Sequence, residues 1–212
     1  MTQVRLPALS TRPRNILCGV RFFSVMVLTL VALLSSLAVG LPLASSQVAF
    51  DWQRLHRPLR PPHVAAGAHC PVSPGRLAPG YGRTTGQTFN GRGPAYLIGN
   101  GNVPAGVIGI SGSVADAKGW FGQKTPWAVR ASYQGPVLIR GLRIDQPGDL
   151  RFAIGYGQHL RELHWPAGVD AGKGGAFRST PASTLFRSSG CYAFQADGTS
   201  FSAVVVMRVQ AR

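Results

Sequence analysis

Acidic residues are nearly missing from this chain: seven Asp and Glu stand against 22 Lys and Arg in 212 residues. They are Asp51, Asp116, Asp145, Asp149, Glu162, Asp170 and Asp197, and most sit in turn contexts. Asp145 and Asp149 flank Pro147-Gly148, which is tight-turn chemistry. Hydrolysis by paired carboxylates and calcium binding by clustered oxygens both need more acids, set closer together. Charged residues of either sign make up only 14%. Heptads, long amphipathic helices and internal repeats are also wanting, which argues against coiled coils and solenoids.

The motifs of catalysis are incomplete. Gly109 to Ser113 (Gly-Ile-Ser-Gly-Ser) comes nearest to a nucleophile elbow, but it lacks the final glycine in place and has no helix behind it. Gly91–Gly93, Gly99–Gly101 and Gly155–Gly157 lack the following helix that makes a glycine loop hold phosphate. Of five histidines, His56, His63 and His69 lie in a proline-rich stretch, whereas His159 and His164 flank an expected strand. Five residues apart on a strand, the last two face opposite sides and do not chelate together. No metal and no cofactor is expected.

What the chain does have is glycine (27), proline (16) and positive charge, formally +15. Glycine and proline at this level suit short strands and turns rather than helices. Residues 22–43 run almost unbroken apolar behind Arg5, Arg12, Arg14 and Arg21. That is either a long secretory signal, cut after Ser46, or a membrane-spanning anchor with the remainder outside. No cysteine directly follows the run, as a lipid-modified N-terminus would need, and no twin arginine precedes it. Three parts are expected: 1–46 as signal or anchor, 47–82 as a Pro/Arg-rich tether or wrapping arm, and 83–212 as a β domain.

Within 83–212, strands are expected at Ala95–Ile98, Val107–Ser111, Lys124–Ala131, Gly135–Ile144, Leu150–Ile154, Leu160–Trp165 and Phe177–Phe186. Gly141 reads as a bulge. The last element is a hairpin, with two β-branched and aromatic runs meeting at Asp197-Gly198, a strong turn signal. Val204 and Val206 oppose the parity of Ala203, Val205, Met207 and Val209, so the final strand should be central and covered on both faces. Short strands at close intervals imply an antiparallel sandwich.

Trp127 to Arg130, Gly135 to Gly141, Gly190 to Gly198 and His69-Cys70-Pro71 together resemble a group of uncharacterised exported bacterial proteins. The likeness covers residues 68–209 and implies an immunoglobulin-like sandwich with no assigned activity. Immunoglobulin domains place a tyrosine two residues before the cysteine of the penultimate strand, whereas here Tyr192 directly follows Cys191. The two side chains then point to opposite faces, which speaks against an inter-sheet disulfide through the core.

Cys18 precedes the apolar run, so only Cys70 and Cys191 reach an oxidising compartment, and an even pair there reads as a disulfide. With Tyr192, Phe194 and Ala196 in the core, Cys191 faces outward or sits at the end of the sheet, where it can meet Cys70, the last anchor point of the arm. Arg140, Arg143, Arg151 and Arg161 are expected on one basic face, and the first three, which alternate with apolar neighbours, are expected to be at least partly exposed. The functional expectation is an exported, non-catalytic immunoglobulin-like module at the cell envelope that binds a surface protein or an anionic polymer. Membrane contact would run through 22–43 if that segment is uncleaved. Without a stacking pattern of aromatics, nucleic acid is not the expected partner. The alternative is a secreted envelope hydrolase whose active site follows no familiar motif.

Overall fold

The strands form where apolar and β-branched residues alternate, and their breaks fall at proline and glycine. In the computed structural model of the chain, the described residues are 50–65, 67–78, 87–99, 104–110, 118–155, 157–170 and 175–211. The segment 22–43, Cys18, the proposed cleavage point, residues 111–113 of the Gly109 loop, and Asp116 lie outside them. Among the described residues no helix is long and apolar enough to cross a membrane.

The strands are β1 (Gly75–Leu77), β2 (Thr88–Asn90), β3 (Ala95–Gly99), β4 (Val107–Ile110), β5 (Phe121–Lys124), β6 (Trp127–Arg130) and β7 (Val137–Arg143). They continue as β8 (Leu150–Ala153), β9 (Leu163–Trp165), β10 (Phe177–Thr180), β11 (Ser183–Phe186), β12 (Gly190–Gly198) and β13 (Ser202–Ala211). Three sheets result, ordered β1-β2-β3-β6-β10, β5-β11-β8 and β4-β13-β12-β7-β9. The pairings are antiparallel except that of β13 with β4, which is parallel. The all-antiparallel expectation fails only there.

Two prolines explain why the first two sheets are separate. β10 pairs with β6 with Thr180 opposite Trp127, and β11 pairs with β5 with Ser183 opposite Lys124. The register is the same on both sides, so Pro181 falls opposite Pro126 and Ala182 opposite Thr125. Neither proline has an N–H to donate, and the ladder is interrupted at that row. One bond survives there, from Thr125 N to the Ala182 carbonyl at 2.9 Å. The first two sheets are therefore one layer that breaks at facing prolines, and the two long strands expected at 124–131 and 177–186 each divide in two.

The layers meet in one hydrophobic core. Leu97, Trp127, Val129, Phe152 and Phe186 come from one side, and Val137, Ile139, Tyr192, Phe194, Val205 and Met207 from the other. The final hairpin occupies the middle of its sheet. The opposite face of that sheet, with Ala193, Val204 and Val206, is covered by the Pro/Arg-rich arm. The arm has few N–H groups to give to a ladder, so side chains bind it. Gln195 accepts from Arg60 N at 2.8 Å and donates to the Pro58 carbonyl, and Ser73 Oγ accepts from Val206 N at 2.9 Å. The arm ends at a disulfide, Cys70–Cys191, with Cα atoms 5.5 Å apart. Cys191 is 3% exposed and packs with Ala193 and Val206, on the face away from Tyr192 and Phe194.

Two local readings need correction. Asp197 lies within the ladder, paired with Ser202, and Gly198 N donates to the Phe201 carbonyl at 3.0 Å. The turn is thus Thr199-Ser200, two residues beyond the expected Asp-Gly corner. Asp197 is buried and serves as a charge partner instead, as described below.

Gly141 makes no bulge, since the β12–β7 register runs unbroken from Tyr192 opposite Arg143 to Gly198 opposite Val137. It is a site of close approach. A Cβ there would lie 2.8 Å from the Ala193 carbonyl oxygen and 2.9 Å from Leu150 Cδ2. Because the first of these is backbone, the strand pair must spread, and Gly141→Ala should lower stability by about 1–3 kcal/mol. Urea unfolding would check this, and an unchanged midpoint would contradict it.

Candidate functional site

The outer face of the small sheet β5-β11-β8 gathers several cations beside a trough. Ser183 lies opposite Lys124 on one side and Ala153 on the other, and Leu185 lies opposite Gly122 and Arg151. Facing residues in a ladder share a face, so these six point away from the core. Their alternates Thr184, Phe186, Leu150 and Phe152 point into it. An antiparallel bridge between Phe152 and Leu160 then brings His159 alongside Ala153 and Arg161 alongside Arg151. The result is a trough of about 520 Å³ lined by Lys124, Ser183, His159, Gln158, Leu185 and Ile154, among others, over a floor that includes Gly122 and Ala153. A second hollow of about 290 Å³ shares Lys124, Ala153, Ile154 and Ser183 with it and continues towards Pro126 and Pro181. Ile154, expected on the core face with Leu150 and Phe152, lies past the end of β8 and is 55% exposed.

One end of the trough is built on Trp120. The guanidinium of Arg187 lies 4.1 Å from the indole centroid, that of Arg151 5.6 Å, and the His159 ring 5.8 Å. Cations over the electron-rich face hold the arginines in place. They also leave Trp120 only 5% exposed, so its ring is not available for stacking on a ligand. Arg151 is further fixed by Asp149 at 2.8 Å, and Arg187 donates to the Lys118 carbonyl. Lys124 and Arg161 are exposed. Among the described residues no carboxylate lines the trough.

The four arginines expected on one face are divided. Arg151 and Arg161 belong to the trough face. Arg140 and Arg143 are three apart on β7 and so lie on opposite faces of it. Arg140 donates to Asp197 at 2.8 Å and to the Arg57 carbonyl of the arm. Asp197 is fully buried and also accepts from Ser202 Oγ at 2.6 Å and from Gln195 Nε2. Arg143 chelates Asp145, at 2.6 Å from Nε and 3.2 Å from Nη2, and reaches Ser188. That hydrogen bond raises the arginine's pKa and, against the cost of burial, lowers that of Asp145 below the usual carboxylate range. Three of the four charges are thus already matched by acids. The sequence reading missed Lys124, Arg187 and Trp120, because strand order alone decides which outward residues become neighbours.

Histidine supplies one further constellation. Glu162 accepts from His164 at 2.7 Å and lies 3.0 Å from His56 of the arm, and Trp52 stacks on the His164 ring at 4.2 Å. Burial pushes the Glu162 carboxyl up, but the two imidazoles outweigh it and hold the group below its ordinary value. This cluster fastens the start of the arm beside β9. Glu162 thus sits between two histidines that are far apart in the sequence. Among the described residues no group of His, Cys, Asp and Glu has the geometry to hold a metal ion.

No family model matches the chain. No curated protein matches it either.

Proposed function

We propose that the chain is an exported, non-catalytic immunoglobulin-like module of the cell envelope that binds an anionic envelope component through its small sheet. The observation that carries this reading is the trough face, on which Lys124, Arg151, Arg161 and Arg187 gather against one acid, Asp149. A positive field over a concave surface draws anionic chains and surfaces. Export is supported by the apolar segment 22–43 behind its arginines and by the Cys70–Cys191 bridge, since such bridges persist in oxidising compartments. The resemblance of residues 68–209 to exported immunoglobulin-like proteins agrees with both. A hydrolase is less well supported: Ser183 and His159 both line the trough, but no carboxylate completes a triad there.

Expression of the full chain in a bacterial host, followed by fractionation and thiol alkylation, tests the reading. The protein should appear outside the cytoplasm with Cys70 and Cys191 resistant to alkylation until reduced, and part of it should sediment with envelope polymer. Retention in the cytoplasm with both thiols reactive would overturn it.

A further inference from the structure

The trough offers donors and an apolar floor, with Lys124 in its lining, and Arg151 and Arg161 stand beside it on the same sheet face. Lys124, Ser183, Ala153 and His159 form a row across three strand-to-strand steps, which spans roughly 14 Å at about 4.8 Å per step. Arg151 and Arg161 stand two residues further along their strands, roughly 7 Å away. A small anion would meet either Lys124 or Arg161 but not both, and Arg151 is already paired with Asp149. A chain with charges at intervals meets both. Between the cations lie Ser183 and Gln158, which suit hydroxyl groups, and Leu185, Ile154, Pro126 and Pro181, which suit C–H surface.

Two other occupants fit less well. Single-stranded nucleic acid relies on aromatic platforms for its bases, and Trp120 is covered by Arg187 and Arg151. An acidic peptide added as a strand needs an open sheet edge. On the β8 side that edge is taken at Phe152, which exchanges both backbone hydrogen bonds with Leu160 at 2.8 and 2.9 Å, and the β5 edge lies two strands away from Arg151. We infer that the trough face over β5-β11-β8 binds a linear carboxylated polysaccharide, its carboxylates on Lys124 and Arg161 and its sugar rings across the glycine and alanine floor. This rests on the proposed function and names the ligand class for that same face.

The test uses the full chain in detergent and polygalacturonate as the probe, with dextran, polyphosphate and single-stranded DNA as comparisons, at about physiological ionic strength. Lys124→Gln with Arg161→Gln, the trough pair, removes two exposed charges from the trough face. Arg54→Gln with Arg208→Gln removes two exposed charges elsewhere and leaves the net charge the same as in the first pair. The expected result is binding of polygalacturonate and not of dextran. The trough pair should weaken it at least about tenfold and flatten its salt dependence, while the control pair changes it less than about twofold. Equal weakening by both pairs would mean net charge alone and would overturn the inference. Tighter binding of polyphosphate or DNA than of polygalacturonate would overturn it too. Envelope association that the trough pair abolishes, with no binding of polygalacturonate by the parent chain, would overturn this inference while leaving the proposed function standing. Failure of export would remove the proposed function, whatever the polymer assay reads.

Discussion

Replacing either Cys70 or Cys191 by serine is expected to lower the stability of the domain by about 4–5 kcal/mol. The bridge joins residues 121 apart. Cutting it releases the entropy of closing a loop of that length in the unfolded chain, on the order of 4–5 kcal/mol in the chain-entropy account. A domain of this size has net stability of about 5–15 kcal/mol, so the loss is a large share of the whole. The arm is affected first, since the bridge anchors it where it crosses Ala193 and Val206. Because both substitutions remove the same bond, the double variant should cost no more than either single one. Urea unfolding of the three variants, with Cys18 serine throughout, gives the comparison. Two independent losses that add, or single losses under about 1 kcal/mol, would contradict the assignment.

Asp197→Ala is expected to cost about 3–5 kcal/mol, the range for leaving one member of a buried ion pair alone. Asp197 is fully buried and holds Arg140, Ser202 and Gln195 together. Its removal strands a cation whose side chain is only 15% exposed and loosens the contact of Arg140 with the Arg57 carbonyl. Arg140→Ser should be costly for the complementary reason, so Arg140 cannot be exchanged freely as a surface charge would be. Arg140→Met combined with Asp197→Leu should lose less than either single change, because no unpaired charge then remains in the interior. Chemical unfolding of the four proteins forms a double-mutant cycle. A cost below about 1 kcal/mol for Asp197→Ala would show the pair to be dispensable.

Asp197 and Gly141 mark where local reading went astray. Asp-Gly is a turn signal by backbone preference, but a buried partner for Arg140 outweighs a turn preference of a fraction of that energy. The chain turns two residues later, where Thr199 and Ser200 reach solvent. Gly141 looked like a bulge because glycine in a strand has two explanations, and only the position of the Ala193 carbonyl chooses between them. Cys191 went the other way. Its parity against Tyr192 and Phe194 was legible, and with Cys70 the one other cysteine after the apolar run the bridge followed.

The sequence by itself determined the all-β class, the central hairpin, the approximate strand positions and the cysteine pair. All of these depend on alternation along a single strand or on counting residues. Only the tertiary structure decided that Pro126 and Pro181 face each other, that the arm covers β12 and β13, and that β4 joins its sheet in parallel. It also decided which charges are neighbours. Arg140 and Arg143, close in sequence, are parted to opposite faces of one strand, while Lys124, Arg151, Arg161 and Arg187 are drawn from four segments onto one sheet face. A strand's own pattern fixes which residues point outward, but the order in which strands pair fixes which of them meet.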